Sequence, residues 1–156
     1  MISIEIPGVG RLQVESVLFD WNGTLAADGE LIPGVKEKIE SLSERVNIYV
    51  LTADTHGTVE MKIQDLKAEL VRIPPEESRK GKQTFLRTLK PKTIVSIGNG
   101  SNDSSILKES ALGIAVLGKE GLSLAAMKNA DLVVKDVFDA MDFLLKPKRL
   151  IATLRE

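Results

Sequence analysis

Val17-Leu18-Phe19-Asp20-Trp21-Asn22-Gly23-Thr24-Leu25 is the stretch that decides how this chain is read. Three apolar residues run straight into a carboxylate, which is followed at once by Asn, Gly and Thr. A short apolar run bounded by turn residues reads as a buried strand of a parallel sheet, so the chain leaves the sheet at or just after Asp20. In open α/β sheets ligands bind outside the carboxyl ends of the strands, which places this carboxylate at the edge where chemistry occurs. Asn22-Gly23 gives a sharp turn whose backbone groups face a ligand or a cation. Taken alone, the same residues are equally a plain strand end followed by an Asn-Gly turn.

Working outward, Met1 to Val14 alternates apolar and polar residues on either side of Pro7-Gly8-Val9-Gly10, a β-hairpin that covers or extends an edge. Beyond the decisive stretch, Ala26 to Leu31 is short and polar, and Pro33-Gly34 opens a helix in which Val35, Ile39 and Leu42 recur at helical spacing. Asn47 to Leu51 is a second buried strand, ending at Thr52-Ala53-Asp54. A helix is expected over Thr58 to Leu70, with a stripe of Val59, Ile63, Leu66 and Leu70, then a brief strand to Ile73 that stops at Pro74-Pro75. Ser78 to Leu89 is the next helix, with Phe85, Leu86 and Leu89 facing inward. The strand Thr93 to Ile97 runs into Gly98-Asn99-Gly100-Ser101-Asn102-Asp103. A helix to Glu109, a strand Leu112 to Leu117, a helix Leu122 to Lys128, a strand Asp131 to Val134 and a terminal helical region broken at Pro147 complete the pattern. Strands alternating with helices need crossover connections, so the expected fold is a three-layer α/β/α, Rossmann-like parallel sheet behind an N-terminal β-hairpin.

A chain of 156 residues fits one domain. With 21 basic and 22 acidic residues it presents no electrostatic case for a nucleic-acid partner. No apolar run reaches the length of a membrane span, and the N-terminus has no secretory pattern, so a soluble, cytoplasmic protein with no membrane partner is expected. The absence of cysteine excludes disulfides and thiolate metal sites.

Strand ends of a parallel sheet lie on one edge, which lets the clusters at Asp20 to Thr24, Thr52 to Asp54 and Gly98 to Asp103 converge. Gly98-Asn99-Gly100 leading into a helix supplies close backbone approach and a positive helix terminus. The natural tenant is an anion held together with a hard cation by Asp and Asn oxygens.

These clusters carry a resemblance. Asp20-Trp21-Asn22-Gly23-Thr24-Leu25 resembles the first motif, Asp-x-Asp-Gly-Thr, of the haloacid dehalogenase (HAD) superfamily of phosphohydrolases. Leu51-Thr52 is similar to its second motif, and Lys82, backed by Leu86 and Leu89, stands where the third motif places its lysine, with Lys80 as the alternative. Gly98-Asn99-Gly100-Ser101-Asn102-Asp103 resembles the fourth, Gly-Asp-Gly-x-Asn-Asp. Order and spacing agree across nearly all of the chain after the hairpin. Within the superfamily the resemblance runs to the phosphorylation domains of P-type cation-transporting ATPases, through Thr52-Ala53-Asp54, the run from Asn102 to Leu107, and Ala130 to Val134. The chain shows neither their membrane segments nor their nucleotide-binding insertion, which excludes ion transport by this chain alone. The segments after Asp20 and Asp54 are too short for a cap domain. The implied organisation is one HAD-like domain over residues 1–156, with the hairpin over 1–15 and a capless core over 16–156.

The resemblance implies phosphoryl transfer through an aspartyl-phosphate, with Asp20 as nucleophile. It implies Mg²⁺ as cofactor, held by Asp20, the Asn22 carbonyl, Asn99 and Asp103, with Asp103 orienting metal waters or Lys82. Thr52 and Lys82 would hold and neutralise the transferring oxygens, and Trp21, Asn22, Ala53 and Asn102 complete the implied phosphate-binding set. Two positions depart from the pattern. Asn22 stands at the catalytic position of the second Asp, which acts as general acid and base, and an amide does neither. Asn99 replaces the principal metal-binding Asp, which removes a charge that Mg²⁺ favours. Slow hydrolysis is therefore expected, and the alternative is a non-catalytic regulatory or binding module that keeps the fold and an anion site; a receiver domain phosphorylated on Asp20 shares the sheet but leaves the fourth cluster unexplained. Both altered positions are Asn-Gly pairs, which are prone to deamidation.

The substrate class implied is a phosphorylated small molecule or macromolecule, with an open edge that a partner subunit, a second copy included, would close. His56 reads as a solvated helix-start residue, Trp21 as packing for the turn, Asp54 as a helix cap, and Lys146, Lys148, Arg149 and Arg155 as a solvated basic face.

Overall fold

The computed structural model describes residues 1–54 and 58–156. Strands β1 (Ile2–Ile6) and β2 (Gly10–Val14) form an antiparallel hairpin, turned by Gly8 and Gly10 at positive φ. Its alternation buries Ile2, Ile4, Ile6 and Val14 and leaves Ser3 and Glu5 outside. The hairpin extends neither edge of the main sheet. It covers the core near the strand N-termini, where Glu15 bridges Thr93 and Asn47 through backbone hydrogen bonds.

The main sheet begins with β3 (Ser16–Asp20), all five residues of which are buried. The chain then makes a miniature hairpin, β4 (Ala26–Ala27) and β5 (Glu30–Leu31), around Asp28-Gly29, both at positive φ, before α1 (Val35–Ser43). Thereafter β6 (Asn47–Thr52), α2 (Thr58–Ile63), β7 (Glu69–Arg72), α3 (Ser78–Thr88), β8 (Ile94–Gly98), α4 (Ser104–Glu109), β9 (Leu112–Val116), α5 (Leu124–Asn129), β10 (Leu132–Val134), α6 (Val137–Leu145) and α7 (Pro147–Leu154) follow. The six long-range strands pair entirely in parallel in the order β10-β9-β8-β3-β6-β7. β3 is thus central, flanked by β6 and β8.

Alternation along the strands makes two cores. Val17 and Phe19 of β3 face α1, α2 and α6, where Ile39, Leu42, Val59, Met141 and Leu144 meet them. Leu18 faces the other way, toward Leu86 of α3 and Ile106 of α4. Helices therefore cover both faces, as burial of a parallel sheet requires. At the junction of α1, α6 and α7 the largely buried Asp142 accepts from Lys38, from Lys146 at 2.9 Å and from Arg149 at 3.0 Å. Burial works against its ionisation, but the cations, Lys38 foremost, outweigh it and hold the carboxyl below its ordinary value.

One helix is shorter than its periodicity predicts. α2 ends at Ile63 rather than Leu70, and a tight turn, Leu66 N–H to the Ile63 carbonyl at 2.8 Å, replaces its last part. Leu66 stays buried in that turn, while Leu70 is taken into β7 beside Val50. No helix among the described residues is long and apolar enough to cross a membrane.

β9 and α4 approach so closely at Gly113 that a Cβ there would lie 2.1 Å from the Leu107 carbonyl oxygen. Backbone cannot yield as a side-chain tip does, so Gly113→Ala should cost about 2 kcal/mol or more. Urea unfolding with an unchanged midpoint would contradict this packing.

Candidate active site

β8, β3 and β6 lie side by side, and their C-terminal ends deliver Gly98, Asp20 and Thr52 to one edge. From above one face, α3 contributes Lys82. This residue shares the inward side of its helix with Leu86 one turn later, so apolar docking of α3 carries the amine inward. The Lys82 side chain is 1% exposed, and its Nζ lies 2.5 Å from Asp20 Oδ1 and 2.7 Å from Asp103 Oδ1. Lys80, the alternative lysine, is exposed on the same helix.

Asp103 is fully enclosed. Its Oδ1 holds Lys82, and its Oδ2 accepts from the backbone N–H groups of Asn99 at 3.1 Å and Gly100 at 2.9 Å. Both oxygens are thus engaged within the protein, which makes Asp103 the anchor of Lys82 and of the loop after β8. The close fit needs glycine, since a Cβ at Gly98 would sit 2.5 Å from the Asp103 carboxyl. Asp20 keeps Oδ2 outside its contact with Lys82.

Charge is not balanced in this cluster. One ammonium faces two carboxylates, and burial, followed by the nearby Asp103, pushes the Asp20 carboxyl up to about 7 despite Lys82. Burial also pulls the Lys82 ammonium down, but Asp20 and Asp103 outweigh it and leave its value raised. A proton on Asp20 or a further cation would neutralise the excess.

The remaining predicted residues frame this core. Thr52 is buried, and its Oγ1 accepts from the Asp54 N–H at 3.1 Å while keeping its own hydroxyl proton to donate. Ala53 is half-buried immediately after it. Asp54 accepts from the Thr58 hydroxyl at 2.9 Å and the Val59 N–H at 3.2 Å, the expected cap. Asn102 is half-buried in the 3₁₀ turn Ser101–Asp103, packed on Gly100. Asn22 is exposed in the turn that follows β3. Trp21 is buried in the core, and its backbone N–H donates to the Leu51 carbonyl at 3.2 Å while also facing the Asp20 carboxyl. His56 lies outside the described residues.

Asn99 behaves differently from a plain ligand. Its Nδ2 donates to the Gly121 carbonyl at 3.1 Å, and its Oδ1 faces the Thr24 hydroxyl at 3.4 Å. The partner turn at 118–121 has no motif in the sequence; the spacing Gly118-x-x-Gly121 is its one signal. Both Asn-Gly pairs are also restrained, because the nitrogens that would attack the side-chain amides are donors already, Gly23 to the Ala26 carbonyl and Gly100 to Asp103, each at 2.9 Å.

Among the described residues no group of three or more His, Cys, Asp or Glu side chains gathers as a metal centre. Mg²⁺ asks for less, commonly one or two carboxylates with substrate phosphate and water. The uncompensated negative charge at Asp20 suits such a cation. A groove of about 610 Å³ is lined by Gly23 and Thr24 of the segment after Asp20 and, among the described residues, by none of Asp20, Lys82 and Asp103.

No family model matches the sequence. The uncharacterized protein MJ0073 of Methanocaldococcus jannaschii is 49% identical over 65 residues, which are 42% of this chain and 70% of that protein. A soluble P-type ATPase-like phosphatase of the same organism is 25% identical over 126 residues, 79% of this chain but 46% of that one. Among solved structures, the cobalt-bound deoxy-D-mannose-octulosonate 8-phosphate phosphatase of Haemophilus influenzae superposes with a TM-score of 0.74 at 15% identity, over 92% of this chain and 94% of that one. The 3-deoxy-D-manno-octulosonate 8-phosphate phosphatase of Moraxella catarrhalis, in complex with magnesium ion, phosphate ion and KDO, gives 0.66 at 15% identity, over 91% and 94%. With the motif residues in their expected order on this sheet, the chain belongs to one family with MJ0073 and has the fold of the HAD superfamily phosphatases.

Proposed function

We propose that this protein is a Mg²⁺-dependent phosphohydrolase or phosphotransferase that works through an aspartyl-phosphate on Asp20 and turns over slowly. The observation that carries the reading is the Lys82 amine, buried between Asp20 and Asp103 at 2.5 and 2.7 Å. Such an arrangement fixes a cation where charge on a transferring phosphoryl group accumulates. In the first step an Asp20 oxygen bonds to phosphorus as the bond from phosphorus to the leaving oxygen breaks. Water then attacks phosphorus as the bond from phosphorus to the Asp20 oxygen breaks, giving inorganic phosphate, the free carboxylate and a proton that passes to solvent. Lys82, the Thr52 hydroxyl, the Ala53 N–H and Asn102 would hold the phosphoryl oxygens. Asp20, the Asn22 carbonyl and Asn99 Oδ1 would hold Mg²⁺, with Asp103 acting through Lys82; the bound ion supplies charge neutralisation at the phosphate.

Asn22 sets the rate. Its amide neither protonates a leaving group nor activates water, so departure without a proton is favoured. Substrates would be phosphorylated small molecules or macromolecules, because no cap restricts the edge, and a partner or second copy would close it. Asn22 also favours the second reading, a phosphate-sensing module without turnover. A beryllofluoride complex that forms with Mg²⁺ in a chain lacking all phosphatase activity would select that reading.

Several outcomes are expected of the purified chain. With Mg²⁺, acyl and aryl phosphates such as p-nitrophenyl phosphate should be hydrolysed faster than a sugar phosphate, and equal rates would count against the role given to Asn22. Asn22→Asp should raise turnover by about 10²- to 10⁴-fold, the usual worth of general acid–base catalysis. Lys82→Met should lower it by roughly 10²-fold or more, read in the same assay.

Stability in chelator should also depend on pH. The Asp20 carboxyl has a folded value of about 7 against an ordinary 3.8, so the folded chain takes up a proton between these limits. The stability this contributes is complete below about pH 4 and is lost as pH rises through about 7. Thermal midpoints should therefore fall between about pH 5.5 and pH 8, with a smaller fall in Asp20→Asn and a larger gain from Mg²⁺ at the higher pH. Parallel curves for the two proteins would dismiss Asp20 as the cause.

A further inference from the structure

The Asn99 side chain sits where three segments meet. Its Nδ2 donates to the Gly121 carbonyl at 3.1 Å, the Thr24 hydroxyl faces its Oδ1 at 3.4 Å, and its own carbonyl accepts from the Ser123 N–H at 2.9 Å. Gly23 presses against the amide, since a Cβ there would fall 2.2 Å from Nδ2. A second strap joins the same segments, from the Asp28 N–H to Glu120 at 3.3 Å. Residues 117–120 form one wall of the 610 Å³ groove and Ala26 to Asp28 form another, so these bonds set its width.

The chemistry at position 99 decides whether this contact exists. An amide offers a donor and an acceptor on one side chain, whereas a carboxylate offers acceptors alone. The orientation of the amide follows from its neighbours, because the Gly121 carbonyl needs a donor and the Thr24 hydroxyl can supply one. Asp at this place would set an anionic oxygen against the Gly121 carbonyl oxygen, on a residue whose own N–H already meets the Asp103 carboxylate, with nothing to bridge the two oxygens.

The geometry points to Asn99 as an interloop clasp: its amide ties the 118–123 segment to the nucleophile loop and holds the groove wall in place, a task that an aspartate at the same position cannot perform. Asn99 thus does a structural task through Nδ2 that is separate from any oxygen its Oδ1 lends to a metal. The inference goes beyond phosphoryl transfer and does not depend on it.

Backbone hydrogen exchange of the full chain in chelator, followed by mass spectrometry, tests the clasp. Asn99→Ala should speed exchange in peptides covering 118–123 about threefold, and Asn99→Asp about tenfold, with β8 and α4 unchanged. Asn22→Asp brings the same charge near Asp20, but its exposed side chain takes no part in these bonds, so it should leave the segment at the wild-type rate. Wild-type rates in both Asn99 variants would overturn the proposal. So would acceleration in Asn99→Asp alone, which means repulsion instead of a lost donor, or acceleration spread equally over β8 and α4, or the same acceleration in Asn22→Asp. The measurement needs neither metal nor turnover, so a chain without phosphatase activity still decides it, and a failed clasp leaves the catalytic reading standing.

Discussion

An ammonium enclosed by two carboxylates ties together parts of the chain that lie 62 and 21 residues apart, and most of the architecture around the candidate site exists to hold it there. Taking charges out of water costs several kcal/mol per ion, and their mutual attraction offsets this only with close contact and satisfied hydrogen bonds. Both conditions are met at Asp103, whose second oxygen is capped by two backbone donors. They are met only partly at Asp20, which is where the deficit in positive charge appears. Of the two carboxylates, Asp20 is thus the one whose charge the fold compensates less.

That asymmetry follows from how each residue is delivered. Asp103 belongs to a loop that folds back on its own strand end, so glycine at 98 and local N–H groups can wrap it. Asp20 stands at the exit of the central strand, where Trp21 turns inward to the core and Asn22 outward to solvent. Lys82 is brought by a helix docked through Leu86, which makes apolar packing on one face of the sheet the guarantor of electrostatics at its edge.

The sheet was legible because fully buried strands read as apolar runs and their polar exits as clusters, and parallel pairing brings such exits together without any further information. Lys82 was legible only through the resemblance to the third motif, with Lys80 as the alternative, because helical spacing alone does not carry a lysine inward. Other features were not. The early end of α2 reflects the need to lay Glu69–Arg72 beside β6, a tertiary demand that leaves the helical stripe of Val59, Ile63 and Leu66 intact in sequence. The place of the N-terminal hairpin depends on which surface remains uncovered once the helices have docked. The contact between Asn99 and Gly121 pairs a side chain with a backbone carbonyl, and a carbonyl has no residue identity to read. The two amides that replace acids looked equivalent for that reason, yet one is exposed in the turn that follows β3 and the other is committed on both of its polar atoms.

The central position of β3 has a bearing on biosynthesis. Its neighbours on either side are β6 and β8, and the second of these is made long after β3 itself has been translated. Such distant pairings carry a loop-closure cost that local contacts do not help to meet, and they form slowly. A nascent chain released up to β7 would carry Asp20 on a strand with one flank bare, exposing an apolar ribbon to chaperones or to other chains. Emergence of the β8 segment closes that flank and brings in Asp103 within the next few residues, so protection from aggregation and assembly of the charged cluster arrive as a single late event.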